Sequence, residues 1–337
     1  MNKKLNRSLG SKAVWVIADD KAGHKNQAIG VAESLGYPFV IKNIKYNDKA
    51  KLPNILKKSG LTGVDIENSD DLNAPLPDII IAAGRKTAPI AKFIKSKSEN
   101  NIYIIQLMWP GSSSADMDLI AVPEHDNRRG KNIIQTIGSP HRITDEFLSQ
   151  EGNIWRKTIG NLSSPVVSLL VGGNAGKKKF TAKHASELGF FISELIDNMN
   201  GELLITTSRR TPDDVTASLR EAIKCKNYFY ESGTQRANPY YAFLSLSDAI
   251  IVTGDSISMC SEACASGKPV FIYAPEDMIP RKHKEMHKSL YKSSFARPFE
   301  LKKMANIEQI IRNSDQMSTK KLNTSEYIAS EIKKRFG

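Results

Sequence analysis

Ile250-Ile251-Val252-Thr253-Gly254-Asp255-Ser256-Ile257-Ser258-Met259-Cys260-Ser261-Glu262-Ala263-Cys264-Ala265-Ser266-Gly267-Lys268-Pro269-Val270 reads as a strand, a turn, a helix and the start of a second strand. Ile250–Thr253 is a short run of β-branched residues, as a strand covered on both faces requires. The helix that follows opens on small hydroxyl residues. Its free N–H groups and dipole favour an anion there, although Ser256 and Ser258 also suit plain N-capping. Gly267 ends the helix and Pro269 precedes the next strand. Glu262 lies about two turns in, where a carboxylate can accept from both hydroxyls of a ribose.

The same grammar extends outward through the chain. Short Ile- and Val-rich runs occur at Val14–Ala18, Phe39–Ile44, Ile79–Ala83, Ile102–Leu107, Leu119–Val122 and Ile133–Ile137, then at Val166–Val171, Leu203–Thr207 and Val270–Tyr273. Amphipathic stretches follow several of them, at Asn26–Leu35, Pro89–Lys95, Ala182–Asp197 and Pro212–Ile223. A polar stretch, Glu151–Pro165, interrupts the alternation. The expected fold class is therefore α/β, with two doubly wound parallel-sheet (Rossmann-like) domains facing across a cleft. The expected domains are residues 1–160 and 161–337, with the last helix, Thr324–Phe336, packing back on the first.

Length and composition agree with that reading. The 337 residues suit two domains of about 150 residues each, and a 40% apolar content fills two cores. The net charge is +12, shared by both halves, which suits anionic partners. Aromatic residues do not alternate with the basic ones as a nucleic-acid stacking platform requires, so nucleic acid is not an expected partner. Three cysteines, Cys225, Cys260 and Cys264, form neither a disulfide framework nor a zinc spacing. The start, with Lys3, Lys4, Arg7 and Lys12, has no apolar signal-peptide core. No apolar run approaches the roughly 20 residues of a membrane span. The expected location is cytoplasmic.

In parallel sheets, ligands bind where strands end. After Val166–Val171 comes Gly172-Gly173-Asn174-Ala175-Gly176, a loop that lets backbone N–H groups approach a phosphate. No Gly-Lys-Ser/Thr closes it, so it is not a P-loop. After Leu203–Thr207 comes Ser208-Arg209-Arg210-Thr211-Pro212, and Arg209 is placed to meet a diphosphate. In the first half, Asp19-Asp20-Lys21-Ala22-Gly23-His24 follows the first strand. His24 there suits a proton acceptor, with Asp19 or Asp20 in support. Arg85 follows Ile79–Ala83 and suits an acidic group of an acceptor. Glu124-His125-Asp126 follows Leu119–Val122, which makes His125 the rival base and Glu124 a further acceptor-side residue. Asp116-Met117-Asp118 precedes a strand and reads as a turn. No metal site is expected.

The segment Ser261-Glu262-x-x-Ala265-x-Gly267-x-Pro269 resembles the donor-site signature of GT-B glycosyltransferases. With Gly172-Gly173-Asn174-Ala175-Gly176 it resembles the N-acetylglucosaminyltransferase that forms lipid II. Asp19-Asp20 stand where that enzyme has leading glycines. A second resemblance covers residues 14 to about 275. Asp19–Gln27, Ala83-Gly84-Arg85, Pro123–Asp126, Ser208–Pro212, Asn238-Pro239-Tyr240 and Asp255–Met259 together are similar to the mitochondrial-fission Elm family of plants and bacteria. These resemblances imply a GT-B-like fold and a metal-independent glycosyltransferase. Its nucleotide-sugar is a substrate, and no cofactor is implied. The implied nucleotide-binding residues are Gly172, Gly173, Asn174, Gly176, Arg209, Asp255, Ser256, Ser258 and Glu262; His24, His125 and Asp20 serve catalysis. The alternative is a non-catalytic nucleotide-binding or membrane-associated scaffold on the same fold. A lipid-linked or other acceptor follows from the first reading. The basic stretch Arg281-Lys282-His283-Lys284, Lys288, Lys292, Arg297, Lys302 and Lys303, interspersed with Met286, Leu290, Tyr291, Phe295 and Phe299, suits either a solvated helix face or weak contact with an anionic membrane.

Overall fold

The computed structural model describes residues 12–51, 60–73, 75–314 and 319–336; the basic start with Lys3, Lys4 and Arg7 lies outside them. The chain forms two compact units, Met1–Arg142 with Asn323–Gly337, and Ile143–Leu322. The first contains β1 (Val14–Ala18), α1 (Ala22–Leu35), β2 (Phe39–Asn43), β3 (Lys45–Tyr46), β4 (Val64–Asp65), β5 (Ile79–Ala83), α2 (Ala88–Ser96), β6 (Tyr103–Leu107), β7 (Leu119–Pro123) and β8 (Ile133–Thr136). Six strands form one parallel sheet in the order β2-β1-β5-β6-β7-β8, and β3 pairs with β4 in a short antiparallel ladder. Period-two alternation builds both of its faces. Val14 and Val16 of β1 join Ile79, Ile81 and Ile105 under α1; Trp15 and Ile17 join Ile80 and Ile104 under α2.

The second unit contains α3 (Asp145–Ile159), β9 (Val166–Leu170), α4 (Ala182–Met199), β10 (Glu202–Thr206), α5 (Asp213–Ala222), β11 (Asn227–Tyr230), α6 (Tyr240–Leu246), β12 (Ala249–Thr253), α7 (Ile257–Ala265), β13 (Val270–Tyr273), α8 (Arg281–Lys292), β14 (Arg297–Pro298) and α9 (Met304–Arg312). Its parallel sheet runs β11-β10-β9-β12-β13-β14. In both sheets the strand order reverses beside the first strand, between β1 and β5 and between β9 and β12. That reversal opens a crevice at the strand ends.

Two features depart from the sequence expectation. The chain passes from one unit to the other at Arg142–Ile143 rather than near residue 160. The polar stretch there is largely helix α3, capped by Thr144, whose side chain accepts from the Phe147 N–H. Only Leu148, Gly152 and Trp155 of this helix are buried, so its composition hides its packing. The edge strand β11 and the short helix α6 were hidden by brevity. The last helix, α10 (Thr324–Phe336), belongs to the first unit. Ser325 donates to the His141 carbonyl at 2.6 Å and accepts from the His141 N–H at 2.8 Å. Gly30 of α1 is in contact range of the same carbonyl, which leaves no room for a side chain. Ile328, Ala329 and Ile332 of α10 complete the core against α1.

Ile328→Ala is expected to lower stability by about 2–5 kcal/mol in urea denaturation. Tyr327→Ala, on the exposed face of the same helix, is expected to cost less than about 0.5 kcal/mol. Equal losses in the two variants would show that α10 is not docked through this face.

Candidate functional site

In the second unit, the loops after β9, β10 and β12 converge on one buried carboxylate. Asp255 is 1% exposed. It accepts from the Gly173 N–H at 2.7 Å, from the Thr253 hydroxyl at 2.7 Å and from Arg210 Nη2 at 3.2 Å. The Thr253 hydroxyl in turn accepts from the Gly172 N–H at 2.7 Å. Arg210 Nη1 donates to the Asn174 carbonyl at 3.1 Å, and the Thr211 hydroxyl donates to the Gly172 carbonyl. Burial pushes the Asp255 carboxyl above its ordinary range, while these donors pull it back.

This web revises the role of the glycine loop. Its first two N–H groups are engaged by Asp255 and Thr253, not held ready for a phosphate. A side chain on Gly172 would strike the Asp255 carboxylate, and one on Gly173 the Arg210 carbonyl. The glycines are thus required by neighbouring loops. Asn174 Oδ1 accepts from the Phe180 N–H at 3.0 Å and braces the loop's far side. Gly176 turns with φ +60° into open space. Arg209 stands exposed, whereas Arg210 ties the three loops together and still leaves 48% of its side chain to solvent.

The amide end of α7 stands directly after Asp255. Ser256 caps it, accepting from the Met259 N–H at 3.4 Å, and Ser258 lies partly exposed in its first turn. Glu262, farther along, accepts from the Tyr240 hydroxyl at 2.6 Å. Burial pushes its pKa up to about 7, and Tyr240 partly counters that rise. Cys260 and Cys264 are buried and free, as small core residues.

Two histidines sit behind this loop, one named in sequence only as a member of the basic stretch and the other not singled out there. His283 and His287 occupy successive turns of α8. His287 is 2% exposed, and a side chain on Gly254 would meet its ring at 2.5 Å. Burial, Lys282 and Arg210 hold the His283 imidazole below its usual range, while the Gly254 and Asp255 backbone opposes this. The spacing of four on a helix after β13 was the available signal. Met286 and Leu290 are also turned inward, and Arg281, Lys282, Lys288 and Lys292 outward. The apolar residues of this segment therefore serve its own unit.

In the first unit, Asp19 Oδ2 lies 2.7 Å from His24 Nδ1. Asp19 Oδ1 accepts from the Lys21 N–H at 3.0 Å, which fixes the carboxylate; its side chain is 1% exposed and that of His24 21%. Gly84, with φ +84°, packs on the ring so closely that a Cβ would lie 2.7 Å from His24 Nδ1. The dyad thus stands at the reversal point of its sheet. Asp20 is turned away and pairs with Lys86 at 3.3 Å; Asp19, not Asp20, supports His24. The His125 side chain is 2% exposed and lies 3.9 Å from Asp126. A ring so enclosed is not placed to take a proton from a substrate. Glu124 and Arg85 are exposed. Among the described residues, no group of three or more His, Cys, Asp or Glu is arranged to hold a metal ion. No helix among them is long and apolar enough to cross a membrane.

The family model for mitochondrial fission ELM1 matches residues 22–336. An uncharacterised protein of Rickettsia prowazekii, RP120, is 31% identical over 95% of this chain and 97% of its own length. Among solved structures, MurG of Acinetobacter baumannii matches with a TM-score of 0.51 at 14% identity, over 96% of this chain and 99% of that one. The UDP-GlcNAc 2-epimerase of Neisseria meningitidis, solved bound to UDP-GlcNAc, matches with a TM-score of 0.56 at 13% identity, over 96% of this chain and 100% of that one. At these identities the likeness is one of fold, and the fold is that of the GT-B glycosyltransferases and their epimerase relatives.

Two measurements check the geometry of the loops. Gly173→Ala is expected to cost on the order of 1–3 kcal/mol, because the added methyl displaces the Arg210 turn. Gly23→Ala, where a Cβ meets nothing within 4 Å, is expected to be neutral or slightly stabilising; a neutral Gly173→Ala would refute the close approach. For Glu262, the fold favours the protonated carboxyl. That stabilisation is intact below the ordinary value of 4.5, falls as pH rises and is gone above about 7. The thermal midpoint of Glu262→Gln relative to wild type is therefore expected to improve from pH 5 to pH 8. A pH-independent difference would mean that Glu262 titrates normally.

Proposed function

The chain belongs to the mitochondrial fission ELM1 family, and from that premise we propose that it is a metal-independent, GT-B-type glycosyltransferase using a nucleoside-diphosphate sugar. The observation that carries this reading is the loop cluster at the strand reversal of the second sheet. There an amide-rich helix end, an arginine held by Asp255 and a carboxylate two turns along the helix follow one another. They suit, in order, a diphosphate and a ribose. The UDP-GlcNAc bound by the epimerase of the same fold supports a nucleotide-sugar as ligand.

In this reading the Ser256–Ser258 turn and the α7 amides face the diphosphate. Arg210, with Arg209 beside it, offsets the charge that grows on the leaving phosphate oxygen. A bond forms between an acceptor oxygen and the anomeric carbon as the bond from that carbon to the phosphate oxygen breaks; the electron pair leaves with the diphosphate. His24 Nε2 takes the acceptor proton, and Asp19 holds the ring by Nδ1 and stabilises the imidazolium. Arg85 and Glu124 are the acceptor-side groups. No cofactor takes part.

Asp19→Asn and His24→Ala are expected to lower kcat by about 10²–10⁴-fold in an assay of UDP release from UDP-sugars, without weakening nucleotide binding. Glu262→Ala is expected to weaken UDP binding by about tenfold in calorimetry. Wild-type protein that binds none of UDP, GDP, ADP or CDP would refute the reading. Binding without turnover, at full acceptor range, would instead favour the scaffold alternative. Product analysis separates transfer from epimerisation.

A cytoplasmic location fits three free, buried cysteines. Because α8 keeps its apolar residues inward, attachment to an anionic membrane would rest on its outward lysines and arginine alone. It is therefore expected to be weak and abolished by high salt in vesicle co-sedimentation. Equal sedimentation with neutral and anionic vesicles at low salt would remove this part of the proposal.

A further inference from the structure

We propose that Asn238-Pro239-Tyr240 is a positioning device for Glu262: Tyr240 holds one carboxylate oxygen so that the other receives a ribose diol, and this makes Tyr240 a determinant of preference for ribonucleotides over 2′-deoxyribonucleotides. The inference rests on the nucleotide reading above and deepens it.

The tripeptide is built to aim one side chain. Asn238 Oδ1 accepts from the Tyr240 N–H at 3.0 Å, a local turn that fixes the residue's backbone. Pro239 stands at the helix cap, and its carbonyl accepts from the Phe243 N–H at 2.9 Å. Phe243 is fully buried, and its carbonyl accepts from the Ser168 and Ser247 hydroxyls at 2.9 and 2.7 Å. The start of α6 is thus pinned to β9. Tyr241 meets the Tyr240 ring edge-on at 5.1 Å. With backbone and ring both held, the Tyr240 hydroxyl reaches Glu262 Oε2 at 2.6 Å.

A carboxylate has about four acceptor positions on two oxygens, and Tyr240 occupies one. Glu262 keeps part of its surface accessible. An untethered glutamate would lose rotamer freedom on binding a diol; this one has lost it beforehand. The tether also sets its charge. Burial drives the carboxyl pKa up to about 7, and the Tyr240 hydrogen bond opposes that rise. Tyr240 and Tyr241 of α6 and Cys260 of α7 are the titratable groups around the pair. Among the described residues none of these is a cation, and the Tyr240 hydroxyl is the group that lowers the Glu262 pKa toward the ionised form that accepts from a diol.

The test is calorimetric titration of UDP and 2′-deoxy-UDP from pH 6 to pH 9, or of the ADP, GDP or CDP pair if that nucleotide is the one bound. Taking the ratio of affinities cancels ionisation of the phosphates. In the wild type the ribose preference is expected to rise with pH and level off above about 7. In Tyr240→Phe it is expected to fall by about tenfold at pH 7, with the rise displaced to higher pH, as for loss of a charge-assisted hydrogen bond. Asn238→Ala, at an exposed position, is expected to move the ratio in the same direction by less; it substitutes if Tyr240→Phe does not fold. Equal weakening of both nucleotides, with the ratio and its pH profile unchanged, would overturn the inference. So would a wild type that binds UDP and 2′-deoxy-UDP alike, although the nucleotide reading would then stand. A wild type that binds no nucleoside diphosphate would overturn both.

Discussion

A buried carboxylate must be surrounded by donors, and in this protein one such requirement organises a whole face of the second unit. Asp255 takes its partners from three different strand-end loops: the Gly173 amide, the Thr253 hydroxyl and the Arg210 guanidinium. Removing any of them leaves a desolvated charge under-satisfied, which is far more costly than losing an exposed hydrogen bond. The loops are therefore not independent appendages. Gly172 and Gly173 have no side chains because Asp255 and the Arg210 turn occupy that space. Arg210 is drawn in because the carboxylate requires a counter-charge. The arrangement leaves the outer half of Arg210 facing solvent, with the partly exposed first turn of α7 following Asp255. It also explains why a motif that resembles a phosphate cradle in sequence is, in its first two residues, a joint between loops.

The first unit has a smaller version of the same logic. Asp19 is enclosed, and its two oxygens are used by the Lys21 amide and the His24 ring. Gly84 has no side chain because the His24 ring occupies that space. The result is a histidine with one nitrogen committed and its orientation fixed, at a strand reversal that corresponds to the one in the second sheet.

Much of this was legible in sequence because parallel strands covered on both faces write themselves as short Ile–Val runs. That signal located ten of the strands and the reversal loops that follow them. Elements lacking it were missed: α3, whose buried side chains are few, and β11, a half-exposed edge. Within the candidate site, residue types were readable but partners were not. Asp19 and Asp20 are adjacent and chemically identical, and only the direction in which each side chain leaves the strand end separates the His24 partner from the Lys86 partner. Arg209 and Arg210 differ in the same way. His125 looked as available as His24, because enclosure depends on packing that no local pattern records. Tyr240 was legible only as part of the Asn238-Pro239-Tyr240 segment; its partner Glu262, distant in sequence and on another helix, was not legible as such.

The position of α10 bears on how the molecule is made. Its residues Ile328, Ala329 and Ile332 belong to the core of the first unit, yet the ribosome adds them only after the entire second unit has been synthesised. Throughout that interval the part of this core that α10 covers beside α1 stays open, with Gly30 and the His141 backbone waiting for Ser325. Domains assembled in chain order finish in chain order, but here the first to begin is the last to close. The nascent chain consequently carries an unfinished apolar seam from the end of its first unit until its last residues emerge.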